Sequence, residues 1–121
     1  MQDSILTTIK KLLGLDDEYK VFDQDIIVFI NSTFLQLKQL GVGPIDGFSI
    51  NGEDEVWGDF LNDEETLKAT QTYIYTRVRL LFDPPTTSFG QEALNKIAEE
   101  IGWRLYVETD PHTDNSKEKD S

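Results

Sequence analysis

The chain has 121 residues, and 23 Asp and Glu against 11 Lys and Arg give it a formal charge of -12 and a pI near 4.3. That length suits one domain able to bury roughly two-thirds of its unfolded surface, and 38% hydrophobic with 11% aromatic residues is too much for a disordered acidic chain. The charge argues against a DNA-gripping surface and against docking on anionic lipid, while the absence of cysteine excludes disulfides and thiolate metal sites.

Met1-Gln2-Asp3-Ser4 lacks the basic region of a secretory signal. The longest apolar run, residues 26–30, is far short of the ~20 residues that span a bilayer. The expectation is a soluble protein made in a cytoplasm, with no membrane partner. A first helix is predicted over residues 4–13, with Ile5, Ile9, Leu12 and Leu13 on one side and Gly14 as its stop. A second starts after Asp23 as N-cap, with Phe22 and Ile27 as a hydrophobic staple, and ends at Gly41.

Residues 41–61 form a connection too long to be ordinary. It holds Phe48, Ile50, Val56, Trp57 and Phe60, so part of it is expected to pack, with a helical turn around residues 55–61. A third helix begins at Asn62, with Glu65 as capping-box partner, and runs to Phe82 before Asp83-Pro84-Pro85 ends it. The rigid turn Asp83, Pro84, Pro85 fixes two φ angles, denies two donors and turns the next helix away. The fourth helix opens on Ser88-Phe89-Gly90-Gln91 as a second capping box, and Leu94, Ile97, Ile101 and Leu105 are its expected buried face. Residues 108–121 hold five acids, two lysines and Pro111 as their one apolar residue type, and read as a polar tail that orders only on a partner. The expected fold is all-α: a small bundle of about four helices, a helical domain over 1–107 and a C-terminal tail over 108–121.

Each long helix carries apolar residues beyond one stripe. On the second, Ile26, Ile27, Phe29, Ile30, Phe34, Leu37 and Leu40 share a broad face, and Val28 and Leu35 fall opposite. On the third, Leu67, Ile74, Val78 and Leu81 share a face, while Ala69, Tyr73 and Leu80 lie well round the cylinder. On the fourth, Trp103 and Tyr106 point away from the main face. Extra stripes imply extra neighbours, either within the chain or in another subunit. Val28, Leu35, Tyr73, Leu80, Trp103 and Tyr106 are therefore the candidate subunit or partner contacts.

Catalytic chemistry has little to stand on. The one histidine, His112, lies in the polar tail, and no Cys or placed His offers a nucleophile and base pair. Gly41-Val42-Gly43 follows a helix rather than a strand, and Pro44 spoils a phosphate-binding helix start. Asp16-Asp17-Glu18 and Glu53-Asp54-Glu55 lack the alternation of a calcium loop and read as solvated charge. No catalytic residue, cofactor or metal is expected. The acid is unevenly spread, with eight acids and no base over residues 46–65. Glu53, Asp54 and Glu55 facing Arg77 and Arg79, or Lys10 and Lys11, of a neighbouring copy would suit a head-to-tail contact. A different possibility is a small acidic helical regulator that binds a basic partner protein or mimics DNA.

Gly41-Val42-Gly43-Pro44 with Gly47-Phe48, then Leu80-Leu81-Phe82-Asp83-Pro84-Pro85-Thr86 with Ser88-Phe89, and finally Glu100 with Trp103-Arg104-Leu105 together resemble the head-tail connector (adaptor) proteins of long-tailed double-stranded DNA bacteriophages. The similarity runs from about Ile5 to Val107, and Leu-Leu-Phe-Asp-Pro-Pro is its most specific part. Gly102 departs from the charged residue expected in that helix and marks its last two turns as the weak part. The resemblance implies a mostly helical, non-enzymatic virion protein of the phage neck. It implies assembly into a dodecameric ring beneath the portal protein, extending the DNA channel and offering a surface to a stopper or tail-completion protein. Genomic DNA would pass without specific binding, and acid facing the lumen would repel phosphate. The C-terminal segment of the family reaches toward the portal, which would give the polar tail a partner.

Overall fold

The computed structural model describes residues 2–109, all of them helical or irregular apart from one isolated bridge. The order is α1 (Ile5–Leu12), α2 (Asp23–Gln39), α3 (Trp57–Phe60), α4 (Glu64–Phe82) and α5 (Ser88–Thr109). The expected all-α bundle is present, with the turn anticipated in the long connection forming the short α3. Helix α4 is central: it packs against α1, α2 and α5, and α1 also meets α2. Residues 110–121, including His112 and most of the expected tail, lie outside the described residues. Helix α5 itself continues past the expected boundary at 108.

Helix α1 is capped by the Ser4 hydroxyl, which accepts from Thr7 N at 3.2 Å, and it buries Ile5, Leu6 and Ile9. Its neighbouring strand-like partner is residue 56: Ser4 and Val56 form the bridge, Ile5 N donates to Glu55 O at 3.0 Å and Trp57 N donates to Asp3 O at 3.2 Å. Both α1 and α2 stop in the same way. After each a glycine follows the C-cap, Gly14 N donating to Lys11 O and Gly41 N to Lys38 O, and the next residue reaches back to Lys10 O or Leu37 O.

Helix α2 does not use Asp23 as its cap. Phe22 holds the cap position without a side-chain bond, and the Asp23 carboxylate turns to Lys10, Nζ to Oδ1 2.8 Å. Lys10 is buried and also donates to Asp17 O at 3.0 Å, because a buried ammonium must be paired and hydrogen-bonded. This competing demand overrides the cap preference. Lys10 is accordingly a structural residue and offers no charge to a neighbour.

The 41–56 connection lies along one flank of α2. Asn31 acts as its clasp, its amide donating to Ile50 O at 2.9 Å and its carbonyl accepting from Ile50 N at 2.8 Å. Phe34, Phe48 and Phe60 stack beside it with ring centroids 4.7 to 5.5 Å apart. Trp57 is buried, and its indole N–H donates to the Thr8 hydroxyl at 3.0 Å, fixing α3 to α1.

The caps of α4 and α5 are each displaced by one residue from the expected boxes. Asp63, not Asn62, caps α4, accepting from Glu65 N at 3.2 Å and from the Thr66 hydroxyl at 2.6 Å. Thr87, not Ser88, caps α5, accepting from Gly90 N at 3.0 Å, and Gln91 ties back to Pro85 O at 3.0 Å. The buried face of α5 is also rotated. Ala98, Gly102 and Leu105 are buried, Leu94 and Ile101 are half-buried and Ile97 is exposed. Small residues face α4 because they let the two backbones approach, so Gly102 strengthens this contact and the helix runs unbroken through it. On α4 the core face is Leu67, Thr70, Ile74 and Val78, and Leu81 is exposed, while Phe82 beside it packs on Phe22.

Candidate assembly surfaces

Among the described residues no group of three or more His, Cys, Asp or Glu side chains is placed to hold a metal, and no helix is long and apolar enough to cross a membrane. What the surface does carry is apolar side chains on rigid elements.

Val28 and Leu35 project from α2 on the side away from the core, 61% and 60% exposed. Their stripe continues through Gln24, Ser32 and Gln39 and bears no charge, a notable property in so acidic a chain. Helix α5 presents Phe89, Ile97, Trp103, Tyr106 and Val107 to solvent. Trp103 is 65% exposed, and its ring lies 6.1 Å from that of Tyr106.

Tyr73 is not a surface residue. It is 7% exposed, wedged between α2 and α5, with its hydroxyl 3.4 Å from Gln36 Oε1. Position 73 faces α5 because α4 must serve neighbours on two sides, so this off-stripe aromatic belongs to the chain's own packing. Burial raises the Tyr73 phenol above its ordinary value near 10, with Arg77 opposing. Leu80 is half-buried.

Two depressions flank α5. One, of about 400 Å³, is lined by Leu40, Tyr73, Ala98, Gly102, Trp103 and Tyr106, with Arg77 and Glu99 completing it. The other, of about 1030 Å³, includes Ala69, Thr72, Ile97, Ile101, Glu100 and Arg104. Of the candidate contacts, Tyr73, Trp103 and Tyr106 line the smaller hollow, whereas Val28, Leu35 and Leu80 line neither.

The charged candidates divide. Glu53 pairs with Lys20, a bond that raises the Lys20 ammonium above its usual value, and Glu55 accepts from Asn51 N at 2.9 Å. Arg79 donates to the Tyr75 hydroxyl at 3.3 Å and to Asp83 O at 3.2 Å, and the tyrosine bond raises its guanidinium further. Asp59 and Asp63 cap α3 and α4. Four of the eight acids over 46–65, Glu53, Glu55, Asp59 and Asp63, are thus engaged within the chain. Asp54 and Arg77 make no ion pair among the described residues. The turn at Asp83, Pro84 and Pro85 is held by Arg79 from α4, which donates to Asp83 O, and by Gln91 from α5, which donates to Pro85 O.

Sequence patterns gave no sign of the Asn31 clasp or of Ile45, which stands on a turn in the long connection. A lone Asn inside an apolar helical stripe was the available hint for the first, and an isoleucine between two glycines for the second. The family model described as phage connector protein matches residues 5–112. No curated protein and no solved structure matches the chain.

Proposed function

The chain belongs to the phage connector protein family, structural proteins of the head-tail junction, and on that premise we propose that it is the adaptor that forms a ring beneath the portal. The ring extends the DNA channel and receives the next tail-completion protein. Twelve copies match the symmetry expected of the portal, and the protein does no catalysis. DNA passes through without specific binding, and the surplus acid keeps phosphate from adhering.

The observation that carries this reading is the coexistence of a completed core with exposed apolar residues on two separate helices, Val28 and Leu35 on α2 and Trp103 and Tyr106 on α5. A small protein that needed only to stay folded has no use for both, whereas a ring subunit requires at least two lateral faces and one axial face. A charge-driven regulator is less well supported, since Glu53, Glu55, Asp59 and Asp63 are engaged within the chain.

Co-expression with the portal protein of the same phage, followed by electron microscopy of the purified complex, tests it. A ring coaxial with the portal is expected. Absence of any complex, with both proteins folded, would overturn the assignment.

A further inference from the structure

Helix α2 separates two features of opposite shape. On one flank, Asn31 and Lys38 hold the long connection. On the other, Gln36 and Leu40 face Tyr73 and Gly102. At about 100° per residue these two pairs lie roughly 170° apart around the helix.

The first flank carries a knob. Gly47 N donates to Pro44 O at 2.9 Å, closing a turn with Ile45 and Asp46 at its centre. The turn is braced at both ends. Gly43, at φ +91, lies under the Phe60 ring, where a Cβ would stand 2.3 Å from Cε1, and Gly47, at φ +92, lies on the Lys38 stem. Any side chain at 43 would therefore be strained and would collide. The result holds Ile45 outward at 89% exposure, with Asp46 beside it and without an ion pair among the described residues. Leaving a braced isoleucine in water is unfavourable, and covering it recovers that cost.

The second flank carries the 400 Å³ hollow of Leu40, Trp103 and Tyr106, with Arg77 on the α4 side and Glu99 on the α5 side. Its volume has room for an aliphatic side chain together with the turn that carries it, its lining is largely apolar, and Arg77 supplies the charge complementary to Asp46. Glu99 would repel Asp46 from the α5 wall, which orients the turn.

We propose that the Ile45–Asp46 turn of one copy seats in the Trp103 hollow of the next, Ile45 against the apolar lining and Asp46 toward Arg77. Because knob and hollow lie on opposite flanks of α2, the contact is heterologous: each copy uses its hollow for one neighbour and its knob for the other. This deepens the ring reading and rests on it, by naming the lateral surfaces that meet.

Assembly is measured by sedimentation velocity of the full chain, alone and with the portal protein. Ile45→Asp, at an exposed tip, leaves circular dichroism unchanged and weakens self-association about ten-fold or more, as expected for a buried anchor. Asp46→Arg weakens it, the Asp46→Arg/Arg77→Asp pair restores it, and Glu99→Lys strengthens it. The chain has no cysteine of its own, so an Asp46→Cys/Glu99→Cys variant treated with a short bismaleimide reports the contact directly. A ladder extending beyond dimer is expected. A dimer band alone, or no cross-link, overturns the proposal. If the wild-type chain still forms rings in that case, only the assignment of surfaces falls; if it assembles neither alone nor with the portal, the ring reading falls with it.

Discussion

Gly102 lies against the ring of Tyr73 so closely that a Cβ at position 102 would stand 3.1 Å from Tyr73 Cε1. This approach sets the spacing between α4 and α5. It also positions Trp103, the next residue, at the edge of the hollow. Gly102→Leu should force the helices apart and destabilise the chain by about 1–3 kcal/mol, the usual range for overpacking. Urea denaturation checks the loss, and unchanged helicity by circular dichroism shows that the damage is in packing.

Asn31 satisfies both backbone groups of Ile50, a residue with no solvent exposure. Asn31→Ala leaves a buried N–H and a buried C=O without partners, at about 1–3 kcal/mol each before relaxation. The expected outcome is a total loss of about 2–4 kcal/mol, with hydrogen exchange at the Ile50 amide accelerated more than at Leu67 in α4. Equal acceleration at both sites would show that the clasp opens only with global unfolding.

The Lys10–Asp23 pair joins α1 to the start of α2. Removing one partner of a buried pair costs about 3–5 kcal/mol because the other is left charged and dry. Lys10→Met should therefore be severely destabilising, whereas Lys10→Met/Asp23→Asn should recover more than half of the loss. Chemical denaturation of the two single variants and the double variant gives the coupling directly.

Stability should fall at alkaline pH through Tyr73. Its phenol is raised above the ordinary value near 10 by burial, so the neutral form is favoured in the folded chain. The contribution is fully present below the unfolded pKa near 10 and is lost as pH rises through the higher folded value. Between those limits the urea midpoint should decline more steeply for the wild type than for Tyr73→Phe. Parallel declines would show that other groups control the alkaline limb.

Leu35 is exposed on the charge-free stripe of α2. Leu35→Asp should change folding stability by no more than about 0.5 kcal/mol, as surface substitutions do, while reducing assembly with the portal protein. A full complement of rings on portals formed by Leu35→Asp would remove this stripe from the set of contacts.

Periodicity located the long helices well. Ile26, Ile30, Phe34 and Leu37 on α2 and Leu67, Ile74 and Val78 on α4 occupy the core as a 3.6-residue repeat requires. On α5 it was right for Leu105 and in part for Leu94 and Ile101, but missed at Ile97 for a physical reason. A pattern of large apolar residues points to Leu94, Ile97, Ile101 and Leu105, but close helix contact selects small residues, and burial of Ala98 and Gly102 with Leu105 turns the face by roughly 60° and leaves Ile97 exposed. Tyr73 was misread for the related reason that a helix with two neighbours buries residues off its main stripe. The cap of α2 moved because Asp23 had a better partner in Lys10. Periodicity also marked Trp103, Tyr106, Val28 and Leu35 as lying off the core faces, and all four are exposed, but the path of the long connection was not legible. It is fixed by Asn31 reaching a backbone 19 residues away.

The bonds from Ile5 to Glu55 and from Trp57 to Thr8 also govern the order in which the chain can become stable during synthesis. Helix α1 is only eight residues long, too short to persist alone in water. It leaves the ribosome before its cover does, because the backbone and indole that anchor it are translated some fifty residues later. Until then its buried face of Ile5, Leu6 and Ile9 has no complete cover. Helix α1 is thus made well before the segment that holds it, and over that interval its apolar face leaves the nascent chain open to chaperones and proteases.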